Sequence, residues 1–191
     1  MFRLHEPNDQ ELDAFLDIER HKEFSYPDLT ATKAEPPNHY KIDHNKIKLG
    51  SGQRVFSNAL RALYSWQMFK TSFTRLYPNV KPQEGVVVAV IVKHLGFYSV
   101  NPSRVVYLLN EEVEGVIRVG FAYGTLTSHA ERGEERFLII WNRETNDVYY
   151  DLLAFSKPNN WLVWSGYPYV RALQKRFAQE SLQAMLRAVK Q

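Results

Sequence analysis

From Ser72 to Phe155 the chain offers one β-branched and aromatic segment after another, parted by polar turns, and then closes on one long helical pattern. The candidate strands are Ser72–Tyr77, Gly85–Leu95, Arg104–Asn110, Val116–Leu126, Glu134–Asn142 and Asp147–Phe155, with turn signals such as "NEEVEG" and "NRETND" between them. Such short connections leave no room for crossover helices, so neighbouring strands are expected to run antiparallel. The closing pattern, from about Asn160, sets Val170, Leu173, Phe177, Ala184 and Ala188 on one helical face, with Pro168 marking a start or kink. A sheet and an amphipathic helix bury their apolar faces by packing together, which predicts an α+β fold. In it a curved antiparallel sheet of about six to seven strands wraps a long C-terminal helix.

Upstream, Asn8 and Glu11 have the spacing of a capping box, and Leu12, Phe15 and Leu16 continue a helical stripe to about His21. "EFSYPDLTATKAEPPNHY" follows as an ordered loop or a covering arm rather than a linker, because Phe24 and Tyr26 require burial. "YKIDHNKIKLG" reads as a strand with Tyr40, Ile42 and His44 on one face. "QRVFSNALRALYSWQMF" reads as a helix whose apolar stripe is Val55, Phe56, Ala59, Leu60 and Leu63. No repeat or linker divides the chain. A single domain over 1–191 is expected, with an acidic helix and arm over 1–35 and the helix-wrapping core over 36–191.

Composition narrows the function classes. There is no cysteine among the 191 residues, which removes disulfides, thiolate metal sites and cysteine nucleophiles. The longest apolar run, Val86–Val92, is too short to span a bilayer, and "MFRLHEPNDQ" lacks the apolar core of a signal peptide, so a cytoplasmic protein is expected. Residues 1–35 carry four Lys/Arg and nine Asp/Glu, a balance of −5, against twenty and twelve, or +8, in the remainder. No basic block accompanies that asymmetry, so an acidic arm against a basic body is preferred over nucleic-acid binding.

Chemistry concentrates in "GFAYGTLTSHAERGEERF", residues 120–137. On the strand before its turn, Gly120, Ala122 and Gly124 alternate into a trough that either the final helix or a ligand could fill. Arg104, Arg118, Arg136 and Asp151 lie within apolar strands, and a charge on such a face must be paired or face an aqueous cavity. An internal Arg–carboxylate network at the mouth or floor of a pocket is the expectation, with an exposed structural pair as the alternative. His129, Glu131, Glu134 and Glu135 would suit a metal site or acid–base catalysis, although neither spacing is diagnostic. The preferred reading is a fixed rim loop in which Gly133 supplies a turn and Arg132 or Arg136 pairs with Glu131 or Glu134. "KLGSGQRVF" fails as a dinucleotide fingerprint because Val55 stands where a small residue is needed, leaving Gly50 and Gly52 to make a tight turn.

The stretches "FSYPDLTAT", "YKIDHNKIKLGSG", "FAYGTLTSHAERGEERF", "DLLAFSKPNNWL" and "GYPYVRALQKRFAQESLQAM" together resemble the conserved blocks of the DUF1990 family, from about Phe24 to Met185. The family's recurrent polar positions match His44, Asn45, Tyr123, Thr125, His129, Glu131, Gly133, Glu134 and Arg136 here. The resemblance brings no catalytic residue to carry over. The element order itself matches the helix-grip arrangement of START-like ligand-binding proteins (the SRPBCC superfamily), a fold-level analogy that raises ligand binding as an expectation.

The leading expectation is a module for a small apolar or amphipathic molecule held between curved sheet and C-terminal helix. Arg118, Tyr123, Thr125, His129, Glu134, Arg136, Asp151 and His44 would bind it, with His129, Glu134, Arg136 and Arg118 orienting its head group and Tyr123, Phe121, Trp141, Tyr150 and Phe155 as walls or core. No cofactor, metal, nucleic acid or membrane span is expected. A rival is a cyclase, hydrolase or isomerase with His129 as general base beside Glu131 or Glu134. A third is a protein-interaction module using Arg171, Lys175, Arg176 and Arg187 of the final helix.

Overall fold

The computed structural model describes residues 2–159 and 161–190. In chain order its strands are β1 (Phe2–Arg3), β2 (Lys41–Ser51), β3 (Thr74–Tyr77), β4 (Val87–Lys93), β5 (Tyr98–Val113), β6 (Val116–Thr125), β7 (Glu131–Asn142) and β8 (Asp147–Pro158). The helices are α1 (Asp9–Glu19), α2 (Gln53–Tyr64), α3 (Trp161–Ser165) and α4 (Tyr167–Lys190). All pairings are antiparallel, in the order β2-β8-β7-β6-β5-β4-β3, with β1 beside the start of β5. The expected α+β architecture is present: the curved sheet grips α4 on its inner face. The expected beginning of the last helix at Asn160 lies outside the described residues, and Pro168 sits in the first turn of α4, where a missing N–H costs nothing.

Two differences from the sequence reading have local causes. β1 was too short to carry a period-2 signal, and only pairing of Phe2 with Ser99 and Arg3 with Tyr98 makes it a strand. The helical stripe after Gly52 stops at Tyr64, because Trp66 turns to a positive φ and Gln67–Phe69 forms a separate 3-10 turn. The capping box of α1 is complete, with Asn8 and Glu11 each accepting the other's backbone N–H at 2.9 and 3.0 Å.

Both faces of the sheet are covered. Inside, α2, the 3-10 turn and α4 bury Val88, Val90, Val119, Phe121, Phe137, Ile139, Trp141 and Tyr150. Outside, α1 sets Leu12 and Leu16 against Val87, Ala89, Ile91, Val100 and Leu126. The arm from Phe24 to Tyr40 covers the rest, packing Tyr26 and Tyr40 on Phe155 with ring centroids 5.6 and 4.7 Å apart. This double cover explains why β6 is buried at nearly every position rather than at alternate ones.

Candidate functional site

The residues of β6 and β7 that look inward are set by register. Tyr123 pairs with Glu135 and Phe121 with Phe137, and the inward series continues through Val119, Ile139 and Trp141. Gly120, Ala122 and Gly124 therefore look outward. Their trough takes neither the final helix nor a ligand. The arm fills it at Gly124, where an added Cβ would lie 2.0 Å from the Tyr26 hydroxyl.

The same parity divides the expected site in two. Glu134, Arg136, Asp151, Arg118 and His44 have their side chains on the outer face, away from the final helix. The Glu134 carboxylate, 2% exposed, accepts hydrogen bonds from the Tyr26 hydroxyl (2.8 Å), Thr30 N–H (2.8 Å), Thr32 N–H (3.0 Å) and the Thr32 hydroxyl. Burial, followed by the neighbouring Glu134 charge, pushes the Tyr26 phenol far above its ordinary value, so it stays a donor. Arg136 donates to the Thr32 carbonyl at 2.6 Å and to Asp151 at 3.0 Å, and Asp151 meets the half-exposed His44 ring at 2.7 Å. The Arg–carboxylate network thus exists, but under the arm rather than at a pocket. Arg104 donates to the carbonyls of Arg20 and Lys22, and Arg118 pairs with Glu111 at 3.6 Å near solvent.

The inner face holds a cavity of about 480 Å³ between the sheet and the first half of α4. Apolar walls come from Phe69, Phe73, Val90, Val92, Leu173 and Phe177. Of the expected contacts, Tyr123, Thr125 and His129 border it, while Phe121, Trp141 and Tyr150 belong to the packed core and Phe155 to the core beneath the arm. Glu134 borders the cavity by its strand position, yet its carboxylate is turned into the arm. Thr125 exchanges hydrogen bonds with the backbone of Gly133 and meets Ser25 at 2.6 Å, which ties the rim to the arm.

A cluster at one end supplies the cavity's polarity. Glu131 and Glu135 stand four residues apart on the inner side of β7, with Gly133 at the same-face position between them. At Gly133 a Cβ would lie 1.9 Å from the Phe155 carbonyl oxygen, so only glycine lets β8 approach. Tyr123 donates to Glu135 at 2.6 Å, and Glu131 accepts from Gln174 on α4 and from Ser156 at 3.3 Å. Burial pushes both carboxyl groups up to about 7, although hydrogen bonds from Gln174 and Ser156 to Glu131, and from Tyr123 to Glu135, pull the other way. Asp43 and Arg171 close the same end with paired contacts of 2.5 and 2.7 Å, joining β2 to α4. Glu135 is the residue that sequence reasoning undervalued in favour of Glu134; the outward trough at Gly120, Ala122 and Gly124 was the signal that could have assigned the faces.

The His129 ring accepts the backbone N–H of Glu131 at its Nδ1, at 2.9 Å, and does not reach that residue's carboxylate. Burial drives its pKa down to about 3. A general base held by an orienting carboxylate is therefore not what this arrangement provides. Among the described residues, no three His, Asp or Glu side chains converge as metal ligands. Of the four basic residues expected to serve a protein partner, Arg171 is engaged with Asp43, and Arg176 with Glu180, Ser72 and the Phe73 ring. No described helix is long and apolar enough to cross a membrane.

A family model described as "Domain of unknown function (DUF1990)" matches residues 25–184. A UPF0548 protein of Dictyostelium discoideum is 34% identical over 99% of this chain and 96% of its own length. A UPF0548 protein of Deinococcus radiodurans is 30% identical over 98% of each. Among solved structures, the Zhui aromatase/cyclase from Streptomyces sp. R1128 superposes with a TM-score of 0.47 at 14% identity, covering 80% of this chain and 94% of its own. Human STARD10 superposes at 0.39 and 9%, covering 95% of this chain and 82% of its own. Likenesses this weak fix neither ligand nor activity.

Proposed function

This chain belongs to the DUF1990 family, and from that premise we propose that it is a binding module for a small, largely apolar ligand with a polar head group. The carrying observation is the cavity of about 480 Å³ between sheet and helix, apolar along most of its wall and polar at one end. That volume and that division of surface are what small-molecule sites generally have. Tyr123, Thr125 and His129, joined by Glu131 and Glu135, are the residues proposed to meet the head group. Glu134, Arg136, Asp151 and His44 serve the reading indirectly, by fastening the arm that stiffens the back of the sheet.

Native mass spectrometry on gently purified protein tests this, with Ala154→Phe as control. Ala154 faces the cavity from β8, and a phenyl ring there fills space without disturbing the outer clamp. A compound released from the wild type on denaturation, and absent from the control, is the expected result. If the wild type carries nothing and takes up no apolar probe, while folding normally, the reading falls.

A further inference from the structure

The two carboxyl groups at the polar end of the cavity keep unused acceptor capacity. Tyr123 has a single proton, and Glu135 accepts it at one oxygen. Gln174 and Ser156 donate to one oxygen of Glu131. The second oxygen of each carboxyl group accepts nothing from the described residues. Among the described residues neither carboxyl group has an ion-pair partner, although the Arg171 charge acts on Glu131. Arg171 is held bidentately by Asp43, Lys175 borders the cavity but is exposed, and burial disfavours the charged forms of His129 and His94. Tyr150, buried nearby on β8, contacts Ser181 through its hydroxyl.

We infer that the head group held here donates hydrogen bonds to Glu131 and Glu135, and that its chemical class is an organic ammonium on an apolar body. This rests on the ligand-binding reading above and narrows it. A carboxylate or phosphate head placed at these two oxygens would meet lone pairs and, once the carboxyl groups ionise, negative charge. An ammonium supplies up to three donors to the two vacant oxygens, and a charge-assisted bond is roughly twice as strong as a neutral one.

Protonation gives a second handle. At neutral pH the two carboxyl groups, raised to about 7, are partly protonated, and a bound cation favours their ionised form. Binding therefore releases protons, and affinity for an ammonium rises as pH goes from 6 to 8. The groups facing the pair are Tyr123 on β6, Tyr150 on β8, Asp43 on β2, Arg171 on α4 and His129 in the turn.

The test uses decylamine, decanol and decanoate as matched probes in calorimetric titrations of the full chain. Decylamine is expected to bind about tenfold more tightly than decanoate at pH 8, an advantage that narrows at pH 6. Glu131→Gln with Glu135→Gln should abolish that preference while decanol binding persists. Should the double variant fold poorly, Glu135→Gln alone and the wild-type pH dependence carry the same comparison. Decanoate or decanol binding as well as decylamine at pH 8 overturns the ammonium assignment and leaves the ligand-binding reading standing. Failure of all three probes to bind removes both.

Discussion

At the scale of single residues, the sheet keeps two acidic chemistries apart by the thickness of one strand. Glu134 is surrounded by fixed donors, whereas Glu135, its neighbour in sequence, meets one tyrosine and a cavity. Replacing Glu134 by Gln sets an NH2 against those donors and is expected to cost about 3 kcal/mol in chemical denaturation, with trypsin then cutting at Lys33 in the loosened arm. Glu135→Gln behaves oppositely. The folded-state pKa of Glu135 is raised to about 7 from an unfolded value near 4.5, so stability from its neutral form is present at low pH and lost as pH rises through 7. The variant's melting temperature should therefore gain on the wild type between pH 5 and pH 8; a pH-independent difference would contradict this. Gly124→Ala should destabilise by about 1–3 kcal/mol through the clash with Tyr26, and Tyr26→Phe, which removes the nearest atom, should recover part of that loss in a double-mutant cycle.

At the scale of elements, α4 is held by different forces along its length. Its second half packs Ala184, Met185 and Val189 into the core, while its first half borders the cavity and relies on polar ties. The Asp43–Arg171 pair is one of these, bidentate and with the arginine side chain 13% exposed. Arg171→Ala is expected to cost about 1–2 kcal/mol, with hydrogen exchange accelerated between residues 167 and 175 and unchanged beyond 184. Uniform acceleration along the helix would show that the pair does not act locally.

At the scale of the whole molecule, a sheet covered on both faces should be most protected at its centre. The amides of β6 and β7, flanked by paired strands and shielded by α2, α4 and the arm, are expected to exchange slowest, and those of the edge strands β2 and β3 faster.

The succession of strands and the final amphipathic helix were legible in the sequence because both are local periodicities, and so was the covering arm, since Phe24 and Tyr26 cannot stay wet. Alternation also said correctly that Gly124 and Tyr123 point to opposite sides. It could not say which side was the inner one. On β6 and β7 both faces are buried, so apolar content does not mark the inside, and an arm distant in sequence, not the final helix, takes the small-residue trough. Glu134 and Glu135 are interchangeable as letters in "GEERF". Their difference, clamp against cavity, came only from the direction in which the sheet curls and from what long-range packing laid on each face.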